Sequence, residues 1–191
     1  MSEETRRKLR DAYRLVRKNL SADYQEITSY KICENLLQFP PYLAASRIGL
    51  YFAVNGEASL QHLWKTAMQQ GKKCYFPIHK KDDSLSFLPA DATTTLIKNN
   101  LGILEPAPGT QTPFVAKELD IILIPAVALD KQGHRLGMGA GCYDRTLANC
   151  HKPLLIGVAY AFQCVPSIPA QPWDITLNVI ATEQDIYWSK P

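Results

Sequence analysis

The stretch from Asp120 to Arg145, DIILIPAVALDKQGHRLGMGAGCYDR, decides the fold. Its opening DIILIP is apolar at successive positions, so both faces must be covered, as in the central strand of a parallel sheet. Residues 133–145, GHRLGMGAGCYDR, follow, with glycines at 137, 139 and 141 alternating with single residues. Such a run frees positive φ and lets backbone N–H groups crowd around an anion. It leads into a helix expected from about Tyr143 to Asn149, whose free N–H groups and dipole would favour the same anion. A strand, a glycine-rich loop and a helix in succession form the repeating unit of an α/β sheet.

Working outward, short apolar runs alternate with helical stretches. Toward the N-terminus, Arg47–Val54 reads as a strand, Asn55-Gly56-Glu57 as a turn, and Leu60–Gln70 as a helix closed by Gly71. Lys73–Ile78 is the next strand, and Leu85–Leu88 is placed to pair as a hairpin. Toward the C-terminus, strands are expected at Leu154–Tyr160 and near Thr176–Ala181. Ahead of all these lie two helices. One runs from about Glu3 to Asn19 with Ser2 as N-cap, and the other from Ala22 to Gln38, stopped by Pro40 and Pro41. In the first, Leu9, Ala12, Tyr13, Val16 and Leu20 follow helical spacing and predict a buried stripe. Seven basic residues lie between Arg6 and Lys18, and Arg6, Arg10, Arg14 and Arg17 line up on one face. The expected fold is α/β, a Rossmann-like three-layer sandwich with a mostly parallel central sheet and an N-terminal helical segment, forming one domain over 1–191.

Composition bounds the function. The 191 residues carry 46% hydrophobic and 20% charged side chains and a formal charge of +3, an ordinary globular balance that excludes disordered, collagen-like and coiled-coil chains. A charge of +3 is too mild to name a polyanionic partner. Cys33, Cys74, Cys142, Cys150 and Cys164 are odd in number and form no C-x-x-C pair, which argues against a disulfide framework or a zinc site. The N-terminus lacks the apolar core of a signal peptide, and the longest apolar run falls well short of the ~20 residues of a membrane span. The expectation is a cytoplasmic protein without a membrane partner. His62, His79, His134 and His151 are dispersed and read as surface or packing residues.

The glycine run carries the chemistry. Arg135 and Arg145 bracket it with permanent charges suited to bidentate phosphate contacts. It fits neither a P-loop nor a dinucleotide fingerprint. Glycine spacing alone suits a ligand-free turn as well as a nucleotide site, and the flanking arginines with Asp144 shift the balance toward phosphate and a metal. Asp144 suits either helix capping or one ligand position on Mg²⁺, which commonly takes one or two protein carboxylates. The basic helix is read as a solvated face or, more sharply, as aligned arginines for a polyphosphate. Glu57 stands at the carboxyl edge of the sheet, where open α/β folds place ligands, and reads either as a ligand-facing carboxylate or as an exposed loop carboxylate, the commoner case.

Together the basic helix, the strand-turn ending in Glu57, NNLGILEP at Asn99–Pro106, and above all D-x-x-G-x-R-L-G-x-G-x-G-x-Y-D-R at Asp130–Arg145 resemble the 5-formyltetrahydrofolate cyclo-ligase family, also called methenyltetrahydrofolate synthetases. The resemblance implies conversion of 5-formyltetrahydrofolate to 5,10-methenyltetrahydrofolate, with ATP as co-substrate, Mg²⁺ as cofactor, and ADP and phosphate as products. It places Arg6 and Arg10 on the ATP phosphates. The loop of Arg135, Leu136, Gly137, Met138, Gly139, Ala140, Gly141, Cys142 and Tyr143, with Arg145, would lie around the nucleotide. Phe52 and Glu57 fall on the folate and Asp144 on Mg²⁺, and no residue is assigned as a general base. Arg6 stands for the family's usual Lys and Cys142 for the first Tyr of a pair. In the late segment Trp173–Asn178, Asn178 stands where the resemblance puts a second Mg²⁺ ligand, which predicts a weakened Mg²⁺ dependence. Partners are small molecules, nucleic acid is not expected, and the chain is expected to be a monomer. The alternatives are a catalytically weakened ATP-, phosphate- or RNA-binding module on the same fold, and a sugar-phosphate isomerase on a similar scaffold.

Overall fold

The computed structural model describes residues 3–190. In chain order the elements are α1 (Glu3–Lys18), α2 (Ala22–Leu37), α3 (Pro40–Ala44), β1 (Arg47–Gly49), α4 (Gln61–Gln69), β2 (Lys73–His79), β3 (Leu85–Pro89), β4 (Leu96–Lys98) and β5 (Leu104–Pro106). They continue with β6 (Ile121–Pro125), β7 (Ala128–Leu129), β8 (Arg135–Leu136), α5 (Cys142–Leu147), β9 (Leu154–Val158), β10 (Val179–Ala181) and β11 (Ile186–Trp188). The main sheet has seven strands in the order β11-β10-β9-β6-β1-β2-β3. The five inner strands are parallel, and β3 and β11 pair antiparallel at the edges.

β6 lies at the centre of the sheet. Ile121 and Leu123 point into one core with Ile32, Leu36, Leu63 and Ala67 of α2 and α4. Ile122 and Ile124 point into the other, with Leu147 of α5 and Leu177. Both faces of the strand are buried, as successive apolar residues require. The second face is covered by one short helix and irregular chain, so the outer layers are unequal. The Leu85–Leu88 hairpin with β2 forms as expected. The first segment departs from expectation in one respect: β1 ends at Gly49. Leu50 N–H still donates to Tyr75 O at 2.8 Å, and the chain then leaves the sheet edge to form a wall of the site described below. Pro40 and Pro41 end α2 but also open α3, where the missing N–H groups have no helical partner to lose.

The stripe expected on α1 is met at Leu9, Tyr13 and Leu20, which are partly buried against core clusters, and is corrected at Ala12 and Val16. Val16 is 48% exposed and Ala12 is also outward, while Arg6 and Arg17 are buried. The helix turns its Arg6, Arg10 and Arg17 side inward, and Arg14 remains exposed. Ser2, the expected N-cap, lies outside the described residues.

Candidate active site

A cavity of about 680 Å³ opens at the carboxyl end of β6, the edge at which open α/β sheets bind ligands. The inward face of α1, the turn after β1 and the glycine loop between β8 and α5 meet in it, with the end of β2, the chain around β5 and the segment 171–174 completing its walls. α1 is fastened over the loop by Arg10, whose Nε donates to Gly137 O at 2.9 Å. Gly139 has φ +109°, and a Cβ there would stand 3.8 Å from the Arg10 guanidinium carbon. The left-handed backbone is what demands glycine at this position. Arg6 is 6% exposed; its Nη1 donates to Pro169 O and, at 2.8 Å, to Asp174 Oδ2. Arg6, Arg10 and the loop, 127 or more residues apart in the chain, therefore share one cavity.

Arg135 and Asp144 form a bidentate pair, with Nη1 to Oδ1 and Nη2 to Oδ2 both 2.9 Å. Asp144 does not cap α5, whose N-cap is Gly141 without a side-chain bond. Its Oδ1 accepts instead from Ile175 N at 3.1 Å, which brings the adjacent Asp174 to the same wall. Arg145 is half-exposed and folds back on Ala140 O and Asp83. Leu136 is fully buried, Met138 is 38% exposed at the rim, and Cys142 lines the cavity with its thiol raised by burial. The Tyr143 hydroxyl is buried without a hydrogen-bond partner, and burial pushes its ionisation up.

The wall after β1 carries the remaining candidates. Phe52 stacks on Phe76 with ring centroids 4.1 Å apart and meets Trp64 edge-on at 5.8 Å. Glu57 is buried and lines the cavity. Its Oε2 accepts from Val54 N at 3.1 Å, and its Oε1 lies 3.6 Å from Arg17 Nη2. Burial pushes its carboxyl up, and Arg17 opposes that shift.

Asn178 is a correction. Its Oδ1 accepts from Leu155 N at 2.8 Å, while its own N–H donates to Leu155 O at 2.9 Å. This clamps β10 to the amino end of β9, at the sheet edge opposite the cavity, and Asn178 is not among the cavity's lining residues. The carboxylate that the late segment does bring to the cavity, beside Asp144, is Asp174. It stands in the late segment 173–178 that the resemblance marks, but its role is not legible there, because that depends on reach to Arg6 across the fold. His79 is the other residue that sequence reasoning misses. It lines the cavity, and its Nδ1 is 2.8 Å from Glu105 Oε1, which also accepts from Asn99 Nδ2 at 2.7 Å. No spacing within the sequence joins His79 to Glu105; the pairing depends on β5 packing beside β2.

Among the described residues no group of three or more His, Cys, Asp or Glu is disposed to hold a metal alone. Asp174 Oδ2 accepts from Arg6 and from Gln171 N, which leaves Oδ1 with its coordination capacity. Asp144 and Asp174 thus fit a Mg²⁺ that arrives on a polyphosphate and takes one or two carboxylates from the protein. They do not form a protein-only cage.

Residues 2–183 match the model of the 5-formyltetrahydrofolate cyclo-ligase family. The 5-formyltetrahydrofolate cyclo-ligase of Haemophilus influenzae is 36% identical over 181 residues, covering 93% of this chain and 97% of the relative. That of Escherichia coli K12 is 31% identical over 175 residues, covering 90% and 96%. The NMR structure of Aquifex aeolicus 5,10-methenyltetrahydrofolate synthetase superposes with a TM-score of 0.85 at 31% identity, covering 97% of this chain and 93% of that one.

Proposed function

The chain belongs to the 5-formyltetrahydrofolate cyclo-ligase family, and from that premise we propose how its own residues carry out the reaction. The enzyme cyclises 5-formyltetrahydrofolate to 5,10-methenyltetrahydrofolate and consumes ATP. The formyl amide is a poor electrophile, and ring closure must expel its oxygen. Transfer of the γ-phosphoryl forms an O–P bond at the formyl oxygen and breaks the bond to ADP. N(10) then attacks the formyl carbon, the C–O bond breaks, inorganic phosphate departs, and the N(10) proton passes to phosphate or water. Catalysis of this kind is chiefly positioning and charge stabilisation.

The observation that carries the assignment of residues is the convergence of Arg6, Arg10 and the Gly137–Gly141 loop on one cavity with Glu57. Arg6 and Arg10 bind the phosphates from α1, and the loop N–H groups from Gly137, Met138, Gly139, Ala140 and Gly141 bind them from below. Leu136 packs beneath the loop; Cys142 and Arg145 flank it, and the unpartnered Tyr143 hydroxyl supplies a hydrogen bond to a reacting oxygen. Arg135 holds Asp144 in place. Asp144 and Asp174 hold Mg²⁺, which neutralises phosphate charge when bound. Glu57 accepts from N–H donors of the pterin, and Phe52 with Phe76 gives that ring an apolar wall.

No described helix is long and apolar enough to cross a membrane. The cytoplasm is the proposed compartment, supported by five free thiols, and a one-domain monomer is the proposed working unit. The RNA-binding alternative loses its main motive, because Arg6 and Arg10 face the cavity and Arg17 is fully buried, so they form no outward basic face. The test is an assay of purified protein with 5-formyltetrahydrofolate and Mg-ATP. Growth of the methenyl ultraviolet band with stoichiometric ADP is expected, and a folded protein giving neither would refute the reading. Asp174→Asn is expected to raise the Mg²⁺ concentration for half-activity about tenfold or more, as loss of one charged ligand should. Asn178→Asp is expected to leave it unchanged.

A further inference from the structure

Arg17 is the largest fully buried side chain among the described residues, and nothing in the reaction uses it. It does not line the cavity, whereas Glu57 directly in front of it does. Its guanidinium is held by backbone acceptors from two walls: Nε donates to Asn55 O at 3.0 Å and Nη1 to Ala126 O at 3.2 Å. Nη2 faces Glu57 Oε1 at 3.6 Å and Met138 Sδ of the glycine loop at 3.8 Å. Both carboxylate and guanidinium are almost wholly out of water, with side-chain exposures of 6% and 0%. A buried arginine is the one cationic side chain that cannot relieve its burial by losing a proton.

We propose that Arg17 is a positioning residue for the folate. Acting from behind Glu57, it keeps that carboxylate ionised and aimed into the cavity, where it accepts hydrogen bonds from the pterin. The proposal rests on the reading of Glu57 as the folate acceptor. The surroundings of Glu57 leave Arg17 as its counterion. Among the described residues, the other titratable groups that face it are the phenols of Tyr51 and Tyr143, which are neutral at ordinary pH and offer no compensating charge. A neutral Glu57 would retain only part of its acceptor capacity, because a protonated carboxyl oxygen becomes a donor. Charge at position 17 therefore acts on folate binding through Glu57, and it does so without touching the substrate.

The experiment compares wild type, Arg17→Met, Arg17→Lys, Glu57→Gln and the Arg17→Met/Glu57→Gln double variant, with KM for 5-formyltetrahydrofolate and for ATP measured from pH 6 to 9. In wild type the folate KM is expected to show no Glu57 titration across this range. In Arg17→Met, which keeps apolar bulk but removes the charge, the folate KM at pH 6 should rise about tenfold or more. It should fall again as pH increases and Glu57 ionises, by up to about tenfold per pH unit. The ATP KM should move less than about threefold, a change below the value of one hydrogen bond. Arg17→Lys, with the charge retained, should restore the flat profile, and it also serves if Arg17→Met fails to fold. In the Arg17→Met/Glu57→Gln double variant the pH dependence should vanish. A folate KM that is unchanged in Arg17→Met, or raised equally at every pH, overturns the proposal. A Glu57→Gln single variant with wild-type folate KM instead overturns the folate role of Glu57, so the two failures are told apart.

Discussion

Gly56 shows how a single residue sets the site. The Asn55-Gly56 turn has both residues at positive φ, +52° and +74°, the geometry that Asn-Gly supplies with least strain. A Cβ on Gly56 would stand 2.7 Å from the carbonyl oxygen of Arg17, so the turn bearing Glu57 presses on the backbone of α1. Gly56→Ala is expected to cost about 2–4 kcal/mol, adding left-handed strain to overpacking. Gly71→Ala, at φ +73° with nothing within 4 Å, should cost only about 1–2 kcal/mol; urea denaturation of the pair separates the two contributions. Thiol chemistry offers a second check. Burial pushes Cys33 up to about 11 and Cys74 up to about 12. Alkylation at pH 8 should therefore leave both unmodified until the protein is denatured, as peptide mass mapping would show. Glu57 and the glycine run are legible in the sequence because each is a local pattern. Arg17 is legible there only as one of seven basic residues, since its inward turn is settled by which acceptors surround it.

At the scale of elements, β6 is readable from the sequence alone because a strand buried on both faces needs successive apolar residues. The β4–β5 and β7–β8 ribbons, of two or three residues per strand, leave no periodicity to read. The end of β1 is obscured for a related reason: Tyr51 and Phe52 are apolar because they pack beside the cavity, and not because they continue the sheet. The joint between β1 and β6 is tied by Asp120, whose Oδ2 accepts from Ser46 N at 2.9 Å and Arg47 N at 2.8 Å. Partial burial raises its ionisation, but those two backbone N–H groups and nearby Lys152 and Arg47 outweigh it, so the carboxyl lies below its ordinary value. A lowered native value means that the unfolded state binds the proton more readily. Asp120 thus stabilises fully above about pH 4, the ordinary carboxyl range, and less as pH falls through its native value. Asp120→Ala should lose about 1–3 kcal/mol at neutral pH and lose progressively less in acid, as thermal unfolding at pH 3 and pH 7 would show.

Over the whole molecule, the cavity is closed by contacts that join distant parts of the chain, and ligand binding should strengthen the same closure. ADP at 100 times its Kd is expected to stabilise the protein by about 2.7 kcal/mol. Arg6→Met should raise that Kd about tenfold or more by removing a charge-assisted contact; differential scanning fluorimetry across an ADP titration measures both. The Arg6–Asp174 pair spans 168 residues, and this has a consequence for the protein's manufacture. A ribosome adding about 5–20 residues per second needs roughly ten seconds or more between these two codons. During that interval β1, β2 and β6 can already assemble their buried faces around α2 and α4, and Arg17 can meet Glu57, yet Arg6 still lacks Asp174. A chain interrupted before Asp174 would therefore carry much of the sheet but no finished nucleotide site, so the ability to bind ADP reports that translation has passed that codon.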